Sequence, residues 1–327
     1  MSIDTALPSL RPVIGWDATD DEWHAARASG LGASDVASAL GFSRYRSPFQ
    51  VWAEKTGAYP VDDRPSDASR LGNDLEPWLL QQAGGQLHTP VGRTAYRMYA
   101  HPQHAWRMAS PDGTAGPDLL ECKTAGLAGG FGVPEGWTED TVPLGYEIQA
   151  RWQMHVLDRD RCWIVALIAN FGFRMYPIDR DLGLELDLVD QVSEWWQHHV
   201  VGGNQPPLGG GDADAVRDMF PAPDGSTRNL DDTDAPALLA TYRTARSAES
   251  QAKAAKTQAG TAIKALLGDA TFGQIDATQV VSWSGQRGDV DWQRMARDLA
   301  EQAHLDLPDP NTYRRPDKRV LNVKETF

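Results

Sequence analysis

Cysteine is scarce: Cys122 and Cys162 are the only two in 327 residues. Two thiols are too few for a four-ligand zinc site or an iron–sulfur cluster. Both sit in apolar, strand-like runs, which predicts buried thiols in a reducing compartment rather than a disulfide framework. No stretch of about 18 apolar residues occurs, so no transmembrane helix is expected. The opening MSIDTALPSLRPV has no basic start followed by an apolar core, so no secretory signal is expected and the predicted location is cytoplasmic. Positive charge is also short: 31 Lys and Arg stand against 45 Asp and Glu, for a net charge of −14. Nucleic-acid binders usually carry a basic surplus. A nucleic-acid partner would therefore require Lys and Arg gathered in one groove, with the acid elsewhere.

With 41% hydrophobic and 23% charged residues, the composition is that of a soluble globular chain long enough for one large domain or two. The run VGGNQPPLGGGDAD at 201–214 is rich in Gly, Pro and Asp and marks a boundary. We expect a core over 1–201, a linker over 202–230 and a smaller accessory region over 231–327. Helices are expected from Asp20, with acids in the first turn where the helix dipole favours them, and from Ser34 as N-cap. Further helices are expected over 47–56, 70–83, 142–157 and 182–201. Strands are expected over 93–100, 105–109 and 172–178, and RCWIVALIA at 161–169 reads as the clearest buried strand. The Gly-rich stretch 124–141 is long for a loop in a compact domain and predicts a flap beside a functional site. Beyond the boundary we expect a long helix over 231–267, a hairpin over 272–283, a helix over 291–303 and a last strand over 319–323. The basic cluster YRRPDKR at 313–319 is a candidate DNA or partner contact.

The chemistry concentrates in SPDGTAGPDLLECKT, residues 110–124. Asp112 lies in a Pro/Gly turn, and Glu121 and Lys123 follow two apart on a short strand. Alternate strand residues share a face, so Glu121 and Lys123 point the same way, and Asp112 can reach that face across the turn. Two carboxylates with a backbone carbonyl, that of Cys122, make a hard oxygen site suited to Mg²⁺, with Mn²⁺ as a substitute. A lysine beside them can orient or deprotonate a water and offset phosphate charge. These are the parts for metal-assisted phosphodiester hydrolysis. A surface hairpin carrying a Glu–Lys ion pair is the plain alternative.

Pro111-Asp112 followed by Glu121-Cys122-Lys123 resembles the PD-(D/E)XK nuclease motif. In chain order, Gly32-Ala33-Ser34-Asp35-Val36, Leu40-Gly41-Phe42-Ser43, Ser47 to Trp52, Gly72 to Pro77 and Tyr146-Glu147-Ile148-Gln149 resemble the signature of YqaJ-type viral recombinases, the lambda-exonuclease-like family. The resemblance implies an α/β fold: a restriction-endonuclease-like core, with a mixed sheet flanked by helices, and a smaller α+β C-terminal region. It implies a Mg²⁺-dependent 5′→3′ exonuclease acting on one strand of linear double-stranded DNA for phage recombination. With it come a ring trimer, a single-strand annealing protein as partner, and the cytoplasm of a bacterial host. It adds Glu76 as a third metal-site carboxylate, Gln149 near the site water or phosphate, and Arg27 and Ser34 on the 5′-phosphate. Gln153 stands where the family's glutamine motif has an aromatic residue. Another nuclease on the same core, such as an endonuclease or repair exonuclease, stays open. So do a non-catalytic DNA-binding scaffold and a partner-recruiting role for the long C-terminal helix.

Overall fold

A computed structural model describes residues 10–58, 66–94, 96–127, 133–285, 288, 291–307, 309 and 312. The chain divides into two units, Met1–Met219 and Phe220–Phe327. The division falls inside the stretch expected to be a linker.

The first unit is an α/β core, as expected: a five-stranded mixed sheet with helices on both faces. Its strands are β2 (Val91–Gly92), β5 (Gly113–Ala115), β6 (Asp118–Ala125), β7 (Arg161–Ile168) and β8 (Gly172–Asp179), in the spatial order β2-β5-β6-β7-β8. Only β6 and β7 run parallel, with Glu121 opposite Ile164 and Lys123 opposite Ala166. A parallel pair needs a crossover, and α5 (Leu144–Leu157) provides it. A separate three-stranded sheet joins β1 (Arg11–Ile14), β3 (Met98–Ala100) and β4 (Met108–Ala109).

Side-chain parity sorts the sheet's two faces. Leu119, Ala125, Ile164, Ala166 and Ile168 pack into one cluster with Trp152, Met154 and Val156 of α5. Leu120 and Val165 pack into another with Leu79, Leu80 and Ala83 of α4 (Asp67–Leu87). Each side chain follows its strand's two-residue period. Glu121 and Lys123 therefore lie on the α5 face and Cys122 on the α4 face. Close approach of α4 also fixes Gly113: a Cβ there would lie 2.8 Å from Leu80.

Three short helices precede this core. Thr19 opens α1 (Asp20–Ala28) with a capping box to Glu22. The cap of α2 (Ala33–Ala39) is Gly32, not Ser34. Ser34 lies in the first turn, exposed, so its expected capping role is corrected. Ser47 opens α3 (Pro48–Thr56) with a capping box to Gln50 and Pro48 just inside, the arrangement that suits a helix start. α6 (Leu182–Trp195) passes into a π-helical turn, Trp196–Val201, and α7 (Ala213–Met219) ends the first unit. Trp195 and Trp196 are both buried, so they are core rather than an exposed stacking platform. The strands expected over 93–100 and 105–109 are shorter, Met98–Ala100 and Met108–Ala109. In the Gly-rich stretch, Trp137 is buried against Tyr146 and Tyr176 and anchors 133–141, whose other residues are mostly exposed. Residues 128–132 lie outside the described residues.

The second unit contains α8 (Ala235–Leu267), the hairpin β9 (Phe272–Ile275) and β10 (Thr278–Ser282), and α9 (Trp292–Ala303). Asp276 and Ala277 both take positive φ, as a two-residue hairpin turn requires. No residue of α8 is buried. The basic cluster at 313–319 and the strand expected at 319–323 lie outside the described residues. Among the described residues, no helix is long and apolar enough to cross a membrane.

Candidate active site

Asp112 immediately precedes β5, and Gly113 pairs with Leu120. Past that pair β5 contributes no residue, so the edge of β6 at Cys122 has no ladder partner from β5. The amide and carbonyl of one strand residue point to the same side, and the Cys122 N–H donates to Asp112 Oδ2 at 2.6 Å. The Cys122 carbonyl therefore faces the Asp112 side of the strand.

Glu121, only 3% exposed, is satisfied at both oxygens. Lys123 Nζ and Gln149 Nε2 each donate to its Oε1 at 2.5 Å. Gln153 Nε2 donates to its Oε2 at 2.7 Å. Gln149 and Gln153 reach the carboxylate together because residues four apart stack on one helix face. Lys123 also lies 5.1 Å over the Tyr146 ring. Burial, opposed in part by Lys123, pushes the Tyr146 phenol up to about 12.

The local field is negative. Burial pushes Asp112 well above the usual carboxylate range, and the charges of Glu121 and Glu76 add to this against Lys123 and the Cys122 amide. Burial also raises Cys122, with Asp112, Glu121 and Glu76 acting the same way. For Lys123 burial acts downward, but Glu121 and Asp112 outweigh it and hold the group as an ammonium. Glu76 stands on α4, on the opposite sheet face, half-buried; burial raises its pKa and Arg93 opposes the rise. It shares a cavity wall with Pro77, Leu80, Val91 and Arg93.

This donor set fits a hard divalent cation. It offers one buried carboxylate, Glu121, one partly buried carboxylate, Asp112, and a carbonyl at one strand edge, with lysine as the adjacent positive charge. Among the described residues, no three His, Cys, Asp or Glu side chains converge as a ready-made cage. Glu76 is thus felt through its charge without being gathered beside Asp112 and Glu121. Mg²⁺ commonly keeps several waters and takes only one or two carboxylates from protein.

Arg27 and Ser34 lie at a second cluster that the sequence reading saw only in part. Asp35 is buried among three cations: Arg27 at 2.8 Å, Arg46 at 2.9 Å and Lys55 at 2.8 Å. Glu54 joins through Arg46 at 2.5 Å and Lys55 at 2.7 Å. Burial pushes Asp35 up, but Lys55, Arg27 and Arg46 outweigh it and hold the carboxyl below its ordinary value. Arg27 thus already carries a carboxylate partner, and Ser34 is exposed next to Asp35. Arg46 and Lys55 were not singled out from sequence. The available signal was Lys55, placed three residues after Trp52 on the apolar face of α3.

Residues 22–160 match the family described as the YqaJ-like viral recombinase domain. This part of the chain is similar to that family's domain. The match contains every residue named at the two clusters. The uncharacterized protein YqaJ of Bacillus subtilis is 29% identical over 198 residues, which are 59% of this chain and 60% of that protein. The chain thus spans about 60% of the length of its curated relative. Among solved structures, the alkaline exonuclease LHK-Exo of Laribacter hongkongensis is similar at 23% identity and a TM-score of 0.44, over 54% of this chain and 91% of that one. A phage-related exonuclease from Haemophilus somnus is similar at 13% identity and a TM-score of 0.37, over 54% and 96%.

Proposed function

We propose that this protein is a divalent-metal-dependent exodeoxyribonuclease. It enters linear double-stranded DNA at an end and digests one strand 5′→3′, leaving a 3′ single strand for recombination. The observation that carries the reading is the convergence of Asp112, Glu121 and Lys123 at one strand edge, inside the stretch that matches the YqaJ-like viral recombinase family.

In this reading Asp112, Glu121 and the Cys122 carbonyl would hold Mg²⁺, or Mn²⁺ in its place, with Glu76 adding its negative charge from α4. When bound there, the ion would supply Lewis-acid polarisation of the phosphate and activation of a water near neutral pH. Lys123, held as an ammonium by its acidic neighbours, orients that water and offsets phosphate charge; this favours the orienting role over that of a base. Gln149 positions Glu121 and reaches toward the scissile phosphate. Arg27 and Ser34 hold the terminal 5′-phosphate, and Arg46 and Lys55 maintain the positive field around Asp35. This local field answers the net charge of −14, since phosphate affinity depends on cations near the backbone. A ring of three copies, and an annealing protein that receives the exposed strand, complete the proposal.

The test is digestion of a duplex in linear and closed circular form, with 5′-phosphate or 5′-hydroxyl ends, in Mg²⁺ or EDTA. The expected result is loss of one strand from linear DNA in Mg²⁺ alone, faster from 5′-phosphate ends, with circles intact. Cleavage of closed circles would point to an endonuclease. No cleavage of any substrate would remove the enzymatic reading.

A further inference from the structure

Gln153 is a large polar side chain with no exposed surface. A buried amide needs partners at both ends. Its Nε2 donates to Glu121 Oε2 at 2.7 Å, and its Oε1 accepts from the Cys162 thiol at 3.7 Å. A carboxylate can only accept, so the amide nitrogen must face Glu121 and the amide oxygen must face Cys162. The two oxygens of Glu121 are therefore unlike. Oε2 is held from the interior by Gln153. Oε1 is shared by Gln149 and by Lys123, whose side chain retains 18% exposure. Two donors on one oxygen can turn to other acceptors and still leave the carboxylate anchored.

We propose that Gln153 is a positioning residue for Glu121: it fixes Oε2 so that Oε1 is the oxygen offered to a divalent cation, and Cys162 holds Gln153 in that orientation. The proposal rests on the metal-dependent reading of the site. It also gives a use to the position where the family resemblance leads one to expect an aromatic ring. Without Gln153 the buried carboxylate gains rotational freedom, and the ion loses a defined ligand.

The test is calorimetric titration of the full chain with Mn²⁺ alone, paired with thermal unfolding in EDTA. Residues that orient a metal ligand typically change affinity about 10–100-fold, so Gln153→Leu is expected to raise the Mn²⁺ Kd by that factor. Cys162→Ala is expected to raise it less, in the same direction. Met154→Ala empties a neighbouring core position on α5 without touching Glu121, and is expected to lower the unfolding temperature while leaving the Kd unchanged. A folded Gln153→Leu protein whose Kd stays within about twofold of the parent overturns the proposal, since a positioning residue should move it at least about tenfold. A Met154→Ala protein that weakens Mn²⁺ as much as Gln153→Leu also overturns it, by assigning the effect to packing. If Gln153→Leu does not fold, Cys162→Ala decides, and an unchanged Kd there overturns the proposal. A parent protein that binds no Mn²⁺ removes the metal reading itself, and this proposal with it.

Discussion

Asp112 carries two burdens at once. It is partly buried, within the field of Glu121 and Glu76, and one of its oxygens accepts the Cys122 N–H. Asparagine at that position keeps an acceptor for the amide and removes a charge that nearby acids oppose. Asp112→Asn is therefore expected to unfold a few degrees higher than the parent in EDTA, and to lose the further rise that Mg²⁺ gives the parent by binding the folded state. Differential scanning calorimetry with EDTA and with Mg²⁺ reads both effects. An Asp112→Asn protein still stabilised by Mg²⁺ would remove Asp112 from the metal site. Asp112, Glu121 and Lys123 were legible in the sequence because strand parity is a local property, whereas Gln149 came from the family resemblance. Gln153's hold on Glu121 was not legible, since it depends on α5 crossing the sheet at one register. The cations around Asp35 were likewise hidden, because α1, α2 and α3 must pack before Arg27, Arg46 and Lys55 meet.

At the scale of elements, two junctions hold the site's supports. Ser47 caps α3 by accepting the Gln50 N–H at 3.1 Å and donates to Asp212 at 2.5 Å, tying α3 to the end of the first unit. Ser47→Ala loses both bonds and is expected to cost about 1–2 kcal/mol in urea unfolding. The second junction is a histidine stack joining α5 to the turn between β3 and β4. His101 lies 5.0 Å from His155 and 5.3 Å from His104, with Arg107 between the turn and α5. His155 in turn meets Glu185 of α6 at 2.9 Å. Burial, helped by His155, Arg107 and His104 against Asp158, lowers His101 to about 4. The unfolded chain takes up that proton near pH 6.5 and the folded chain does so only near 4, so this contribution to stability is complete above 6.5 and falls as pH drops toward 4. His101→Gln is expected to flatten the unfolding temperature across that window; an unchanged slope would contradict the assignment. Helices and the buried strand β7 were readable from periodicity. The strands over 91–109 were shorter than expected because their pairing is set by distant partners, β1 and β5, rather than by local pattern.

At the scale of the whole molecule, every residue of both clusters lies in the first unit, Met1–Met219, and none in the second. A fragment ending at Met219 is therefore expected to fold and to keep metal-dependent cleavage, which circular dichroism and a digestion assay would check. Loss of folding would show that the second unit supports the core. The central claim is that Glu121 and its neighbours hold a divalent ion that drives phosphodiester hydrolysis. It is tested most directly by the rate of nucleotide release from end-labelled linear duplex DNA, comparing the parent with Glu121→Gln across a Mg²⁺ titration. The account predicts a saturable Mg²⁺ dependence in the parent, none in EDTA, and a loss of at least about 100-fold in Glu121→Gln. A Glu121→Gln protein that digests the duplex at the parental rate would contradict it.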